Sequence, residues 1–137
     1  MRKRLMLLWT PVVLAMALLL PSSTLATSYG NISRVSQYCS GQDQINATFK
    51  LTKFSGFYAY KLTITFKGQE YYGGSWHSVY NIGTSSKIVD TFGKASFSRS
   101  AWYNPANGYH GRLLAIGKIW DSNSHVLATG KSTSGYC

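Results

Sequence analysis

Apolar and polar residues alternate along the middle of the chain, and this pattern restricts the possible folds more than any other feature. Every second residue of Ile45–Leu51 is apolar, and the residues between are polar. The alternation returns in Phe57–Phe66, where Lys61, Thr63 and Thr65 lie opposite the apolar positions. Successive side chains of a β-strand point to opposite faces, so each segment offers one face to a core and one to solvent. The pattern predicts half-buried strands that share a core.

Further strands are predicted where short apolar or aromatic stretches are bounded by turn residues: Tyr71–Tyr80 (with a break allowed at Gly73-Gly74), Lys87–Phe92, Lys94–Tyr103, Arg112–Trp120 and His125–Thr129. Arg112–Trp120 is apolar on both faces, as expected of a central strand. Lys67–Gln69 is expected to be a turn, and Thr27–Gln37, which lacks strand patterning, a loose N-terminal arm. These features predict an all-β fold, a small antiparallel β-sandwich or barrel of about seven strands.

The chain begins as an export signal does. The basic segment Met1–Arg4 precedes an uncharged apolar run, Leu5–Leu20, and small residues follow up to Ala26. The run is about sixteen residues long, whereas a membrane-spanning helix needs roughly twenty, so an anchor is the less favoured interpretation. We therefore predict a cleaved signal peptide at residues 1–26. A single secreted β domain without a transmembrane segment is expected at residues 27–137.

Two cysteines remain in this domain, Cys39 near its start and Cys137 at its end. Export leads to an oxidising compartment, where an even number of cysteines usually pairs, so we predict a disulfide that ties the two ends of the domain. A catalytic thiol or a metal ligand is the alternative. It is disfavoured because the chain has no Cys-x-x-Cys and no histidine at ligand spacing. We expect no metal site and no cofactor.

The mature domain is strongly basic. The chain has fourteen Lys and Arg against four Asp and Glu, and three of the bases lie in the predicted signal. Eleven bases and four acids leave a net charge of +7 with histidine neutral. The bases are spread singly along the predicted strands, where lysine also protects strand edges from aggregation. An exported domain with this charge is expected to bind anionic cell-envelope polymers or membrane surfaces in preference to nucleic acid.

Motifs of the common hydrolases and metalloenzymes are absent from the sequence. The best enzymatic interpretation is a small secreted ribonuclease, which needs a general base, a general acid and a cation beside the scissile phosphate. Glu70, His77, His110 and Arg112 are residues of these types. A domain of this size carries a few histidines by composition alone. A non-enzymatic protein without catalytic residues is therefore the favoured prediction.

Aromatic residues and glycines concentrate in two stretches, residues 71–80 and 102–112. Glycine lets a ligand approach the backbone while tyrosine and tryptophan rings stack on it, as in the recognition of sugar rings, nucleobases and protein surfaces. A core role is the alternative, because strands favour aromatic residues anyway. The candidate binding residues are Tyr71, Tyr72, Trp76, His77, Trp102, Tyr103, Tyr109, His110 and Arg112.

The segment Gly73–Trp76 resembles the Gly-Gly-x-Trp of small secreted bacteriocins of the lactococcin 972 type. The likeness covers these residues alone, and the rest of the chain does not follow that pattern.

The leading hypothesis is a secreted cationic non-enzymatic protein that binds bacterial envelope or other anionic surfaces as an antimicrobial or bacteriocin-like factor. The alternatives are a secreted binding module or inhibitor that engages a glycan or protein through a Tyr/Trp-rich face and, third, the ribonuclease.

Overall fold

The computed structural model describes residues 28–41 and 43–137, so the signal peptide predicted at residues 1–26 lies outside the described residues. The described part has seven strands and no helix. Within it, accordingly, no helix has the length and apolar character needed to cross a membrane. The strands are β1 (Gly30–Ser40), β2 (Gln44–Lys53), β3 (Ala59–Tyr72), β4 (Ser75–Thr91), β5 (Ala95–Tyr103), β6 (His110–Trp120) and β7 (Val126–Thr133).

The strands form two antiparallel sheets whose inner faces enclose the core. One sheet has three strands in the order β1-β2-β5, and the other has four in the order β4-β3-β6-β7. Every neighbouring pair in both sheets is antiparallel. The predicted all-β fold is confirmed, and of the two architectures left open it is the β-sandwich.

The alternation in the sequence supplies the core. Every second residue is buried along Ile45–Leu51 of β2, and along Leu113–Ile119 of β6 every second residue is buried together with Leu114 on the other face. β6 lies between β3 and β7, in the central position predicted for it. On its inner face, a side chain at Gly117 would collide with Leu51 of the facing sheet, because a Cβ there would lie 2.8 Å from the Leu51 Cδ1. The small residue lets the two sheets approach.

The prediction of a loose arm over Thr27–Gln37 is wrong. Residues Gly30–Ser40 form β1, which pairs with β2 and has a bulge between Arg34 and Ser36. β1 is an edge strand whose side chains are mostly exposed, and Ile32 is its buried hydrophobic residue. An edge strand with so little contact to the core has no apolar alternation, and its sequence therefore lacks the periodic signal.

The predicted turn at Lys67–Gln69 is also wrong, because these residues lie inside β3. Gly68 is required there by packing rather than by a turn. A Cβ at this position would lie 2.4 Å from the ring of Tyr103, which crosses over the strand from the facing sheet. Sequence alone cannot distinguish a glycine of this kind from a turn glycine.

The turn is instead at Gly73-Gly74, where φ is 60° and 84°. Two consecutive positive φ values are typical of a tight hairpin turn, and it joins β3 to β4. The turn lies where the sequence allows a break in the strand predicted at Tyr71–Tyr80. The separation predicted between Tyr71–Tyr80 and Lys87–Phe92 is wrong, because the continuous β4 takes in most of both.

Cys39 and Cys137 form the predicted disulfide, with an S–S distance of 1.99 Å. Cys39 lies in β1 and Cys137 follows β7, so the bond joins the two sheets along one side of the sandwich. Beside it, the Gln37 side chain accepts a hydrogen bond from the backbone N–H of Gly135 at 2.6 Å. A disulfide between the ends of the domain indicates folding in an oxidising compartment.

Candidate functional site

The outer face of the four-stranded sheet gathers basic residues that are scattered in the sequence. We call this surface the cationic face. It is defined by the five bases whose side chains share it: Lys61, Lys67, Arg112, Lys118 and Lys131.

Strand alternation and register explain why these bases share one side. On β6 the residues between the buried positions point outward, and these include Arg112 and Lys118. Directly paired residues of neighbouring strands lie on the same face of a sheet. Lys61 is paired with the outward Trp120, and Lys131 is paired with the outward Ile116, so both lysines face the same way.

Acidic residues lie outside the paired, outward-pointing positions that make up this face. Of those in the described ranges, Asp43 precedes β2, and Glu70 points into the sandwich and is buried. Asp90, at the end of β4, accepts a hydrogen bond from the Tyr58 hydroxyl. Asp121 follows β6 and accepts backbone hydrogen bonds within its own loop. The positive charge of the face is therefore not neutralised between its strands.

Aromatic rings hold three of the bases in place. The Arg112 guanidinium lies 4.3 Å from the Trp76 ring centre, and its Nε donates to the Gln69 side chain at 2.7 Å. Burial lowers the pKa of Arg112, but a guanidinium stays charged in proteins. At the other end of the face, the Nζ atoms of Lys61 and Lys118 lie 5.0 and 5.7 Å from the Trp120 ring. Cations over indole faces are attracted by the ring quadrupole.

Four of the candidate binding residues predicted from the sequence meet at one end of this face. Tyr71 is paired with Trp76 on β4 and with His110 on β6, and Arg112 covers the Trp76 ring. Tyr136 completes the group, with its ring 6.4 Å from Trp76 and 4.9 Å from His110. Sequence reasoning missed Tyr136, because it follows β7 far along the chain from the two aromatic stretches.

Three further candidate binding residues lie at the same end but on the inward-facing side of the sheet. Tyr72 and His77 are stacked, with ring centres 4.0 Å apart, and Tyr109 meets the Tyr72 ring edge-on at 5.8 Å. The His77 Nε2 is within hydrogen-bond distance of the Ser75 hydroxyl, at 3.0 Å. The hairpin turn thus presents aromatic rings on both of its sides.

The two remaining candidates lie elsewhere. Tyr103 is buried in the core, and its hydroxyl donates a hydrogen bond to the Glu70 carboxylate at 2.7 Å. This differs from the surface position that the sequence suggested. Successive residues of β5 point to opposite faces, and Tyr103 is one of those that point inward. Trp102, the preceding residue, is 61% exposed and lies on the outer face of the three-stranded sheet.

The four residues considered for a ribonuclease do not converge. Glu70 and His77 are paired on the inner side of the sheet, whereas His110 and Arg112 point outward from the next strand. The Glu70 Oε1 accepts hydrogen bonds from Tyr103 and from the backbone N–H of Ala106. Among the described residues, no group of three or more His, Cys, Asp or Glu side chains could hold a metal ion.

Comparison with known proteins adds little to this description. No protein-family model matches the chain, and a search of curated proteins finds no significant match. Among solved structures, it is similar to a β-glucosidase from Kluyveromyces marxianus crystallised with glucose, at a TM-score of 0.38 and 8% identity. The likeness covers 84% of this chain and 14% of that one. At this level it assigns neither a family nor an activity.

Proposed function

We propose that this chain is a secreted, non-enzymatic cationic protein that binds anionic polymers or lipid head groups of bacterial envelopes through its cationic face. An antimicrobial or bacteriocin-like role is the biological setting we propose for it. The export signal predicted from the sequence and the disulfide support the extracellular location. The observation that carries the proposal is the gathering of five bases, without an intervening acid, on one side of one sheet.

The shape of the face suits a repeating polymer or a lipid surface. Four strands about 4.8 Å apart, with rows from Tyr71 to Lys61 rising about 3.3 Å per residue, give a surface of roughly 14 by 33 Å. Several phosphate or carboxylate groups of one ligand can contact such a surface together. Each base then lies closer to the ligand than the Debye length, which is about 10 Å at 0.1 M salt, so salt screens the attraction only in part.

Hydroxyl groups between the bases add hydrogen-bond donors. Thr65 and Thr84 are paired across β3 and β4, with their hydroxyl oxygens 2.8 Å apart. Thr63, on the same face, is buried and accepts a hydrogen bond from the Trp120 indole N–H at 2.9 Å, so it holds that ring in place and does not meet the ligand. Each lysine supplies a single ammonium charge, whereas Arg112 offers a planar guanidinium fixed by stacking, which suits bidentate binding of phosphate.

The test is binding of the purified mature domain to soluble teichoic acid and to phosphatidylglycerol vesicles, with phosphatidylcholine vesicles as the neutral surface. Lys67→Gln with Lys131→Gln removes two charges from the face. Because each base near an anionic surface contributes about 1 kcal/mol, the double variant should bind about thirtyfold more weakly. Its affinity should also depend less steeply on salt.

The matched control is Lys50→Gln with Lys94→Gln, which changes the net charge equally. Lys50 points outward from the opposite sheet, and Lys94 lies between β4 and β5. The control pair should bind nearly as the unchanged protein does. Equal loss in both variants would mean that net charge alone drives binding, and the cationic face would be refuted.

A further inference from the structure

A second surface, on the outer face of the three-stranded sheet, has a different chemical character. A shallow groove there is lined by Ser36, Tyr38, Asn46, Ala47, Thr48, Ser100, Ala101 and Trp102. No lining residue is charged, although the chain carries fourteen Lys and Arg. We infer that this groove binds a neutral glycan, with one sugar ring held between Tyr38 and Trp102.

The two aromatic rings form the walls of the groove. Tyr38 on β1 and Trp102 on β5 are both paired in register with Asn46 on the strand between them. Their exposed fractions are 64% and 61%, so neither ring is used by the core. Two exposed rings that line the same groove form an aromatic surface of the kind that marks a ligand-binding site.

The spacing of the walls fits one sugar ring. Two strand spacings separate the backbones of Tyr38 and Trp102 by about 9.6 Å. A flat ring stacked between two others occupies roughly 7–8 Å, because carbon atoms in contact lie about 3.5–4.0 Å apart. The groove volume is about 140 Å³, below the roughly 300 Å³ at which pockets for drug-sized ligands begin. One unit of a longer chain would fill it.

The floor of the groove offers hydrogen bonds without charge. The Thr48 and Ser100 hydroxyl oxygens lie 2.6 Å apart across the strands, and the Asn46 amide donates to the Ser40 hydroxyl at 2.9 Å. A sugar ring has apolar C–H faces and hydroxyls on its rim, so it can stack on the walls while its rim reaches such groups. An apolar ligand would desolvate the floor without pairing it, and no cation lines the groove to attract an anion.

This inference does not depend on the cationic face, and the two can fail separately. The protein is produced in bacteria so that Asn46, which opens an Asn-Ala-Thr acceptor sequence, carries no attached glycan. The probes are the tetramers of N-acetylglucosamine, of β-1,4-linked glucose and of α-1,4-linked glucose, titrated by calorimetry and by tryptophan fluorescence. At least one should bind equally at low salt and at about 0.5 M salt.

Tyr38→Ala and Trp102→Ala should each weaken that binding about tenfold or more, without loss of thermal stability, because both rings are exposed. Phe92→Ala is the matched control: it removes a similarly exposed ring outside the groove and should leave glycan binding unchanged. If none of the three probes binds, or if Trp102→Ala binds as the unchanged protein does, the inference is overturned. Binding that disappears at about 0.5 M salt would overturn it as well.

Discussion

Glu70 is a carboxylate buried on the inner side of β3, and two donors hold its Oε1 atom. The Tyr103 hydroxyl lies 2.7 Å away and the Ala106 backbone N–H lies 2.9 Å away. Burial, and after it the hydrogen bond to Glu70, raises the pKa of the Tyr103 hydroxyl above its ordinary value, so the hydroxyl stays protonated and donates. The pair connects the two sheets at the end where the hairpin turn lies.

Replacing Tyr103 with phenylalanine should lower the free energy of unfolding by about 2 kcal/mol, because a hydrogen bond to a charged group contributes about 1.5–3 kcal/mol. Urea unfolding measures this change. Binding to teichoic acid should stay the same, since Tyr103 does not reach the cationic face. Tyr109→Phe, which alters an exposed ring, serves as the control. A Tyr103→Phe variant of unchanged stability but reduced binding would restore the surface role suggested by the sequence.

For single residues, the sequence predicted which residue types belong to the candidate site better than it predicted where those residues lie. Trp76, His110 and Arg112 were identified from their aromatic and glycine-rich surroundings, and the structure brings them together. Tyr38 could not be identified in the same way, because it lies in an edge strand without periodicity. Its neighbour in the groove, Trp102, is brought to it only by the pairing of both strands with β2.

Among the elements, the β3–β4 hairpin depends on the backbone freedom of Gly73 and Gly74. Gly74→Val should lower the free energy of unfolding by about 1–2 kcal/mol, because a left-handed conformation costs that much for a residue with a side chain. Gly73→Asn is the control and should be nearly neutral, since Asn-Gly suits the same turn. Chemical denaturation of both variants measures the difference. Equal stability of the two would show that the turn does not depend on positive φ.

The β6–β7 loop is held by Asp121. Its carboxylate accepts hydrogen bonds from the backbone N–H groups of Asn123 and His125 at 2.9 and 2.8 Å. The His125 backbone N–H is the main cause of the lowered pKa of Asp121, and its ordinary value is 3.8. A carboxyl whose pKa is depressed on folding contributes stability above its unfolded pKa, and that stability is lost as the pH falls through the folded value.

Asp121→Asn should therefore be less stable than the unchanged protein at pH 6, and the difference should shrink as the pH falls below about 4. Urea unfolding at a series of pH values measures the difference. Ser122→Ala, at an exposed position in the same loop, is the control and should show no pH-dependent difference. If the difference in free energy of unfolding between Asp121→Asn and the unchanged protein stays constant with pH, the Asp121 charge does not hold the loop.

Strands with one buried face were predictable, and their connections were less so. β2 and β3 follow from alternation and β6 from its apolar residues, because all three face the core along most of their length. β1 and most of β4 do not, since edge strands leave many side chains in solvent. The charge of the outer face was visible as separate lysines in the sequence. The arrangement of those lysines depends on strand order and register, which arise from contacts between distant segments.

For the molecule as a whole, the disulfide closes a loop with a sequence separation of 98. Cys39→Ser with Cys137→Ser should lower the free energy of unfolding by up to about 4–5 kcal/mol, because the unfolded chain gains the entropy of that loop. Urea unfolding of the double variant against the oxidised protein measures the loss. The same midpoint for both would contradict a stabilising role for the bond.

The central claim is that one side of the sandwich, not its total charge, meets the anionic partner. Lysine acetylation of the unchanged protein, followed by mass spectrometry with and without soluble teichoic acid, tests it most directly. The polymer should slow acetylation of Lys61, Lys67, Lys118 and Lys131 severalfold and leave that of Lys50, Lys87 and Lys94 unchanged, and about 0.5 M salt should abolish the difference. Equal protection of both sets would contradict the claim.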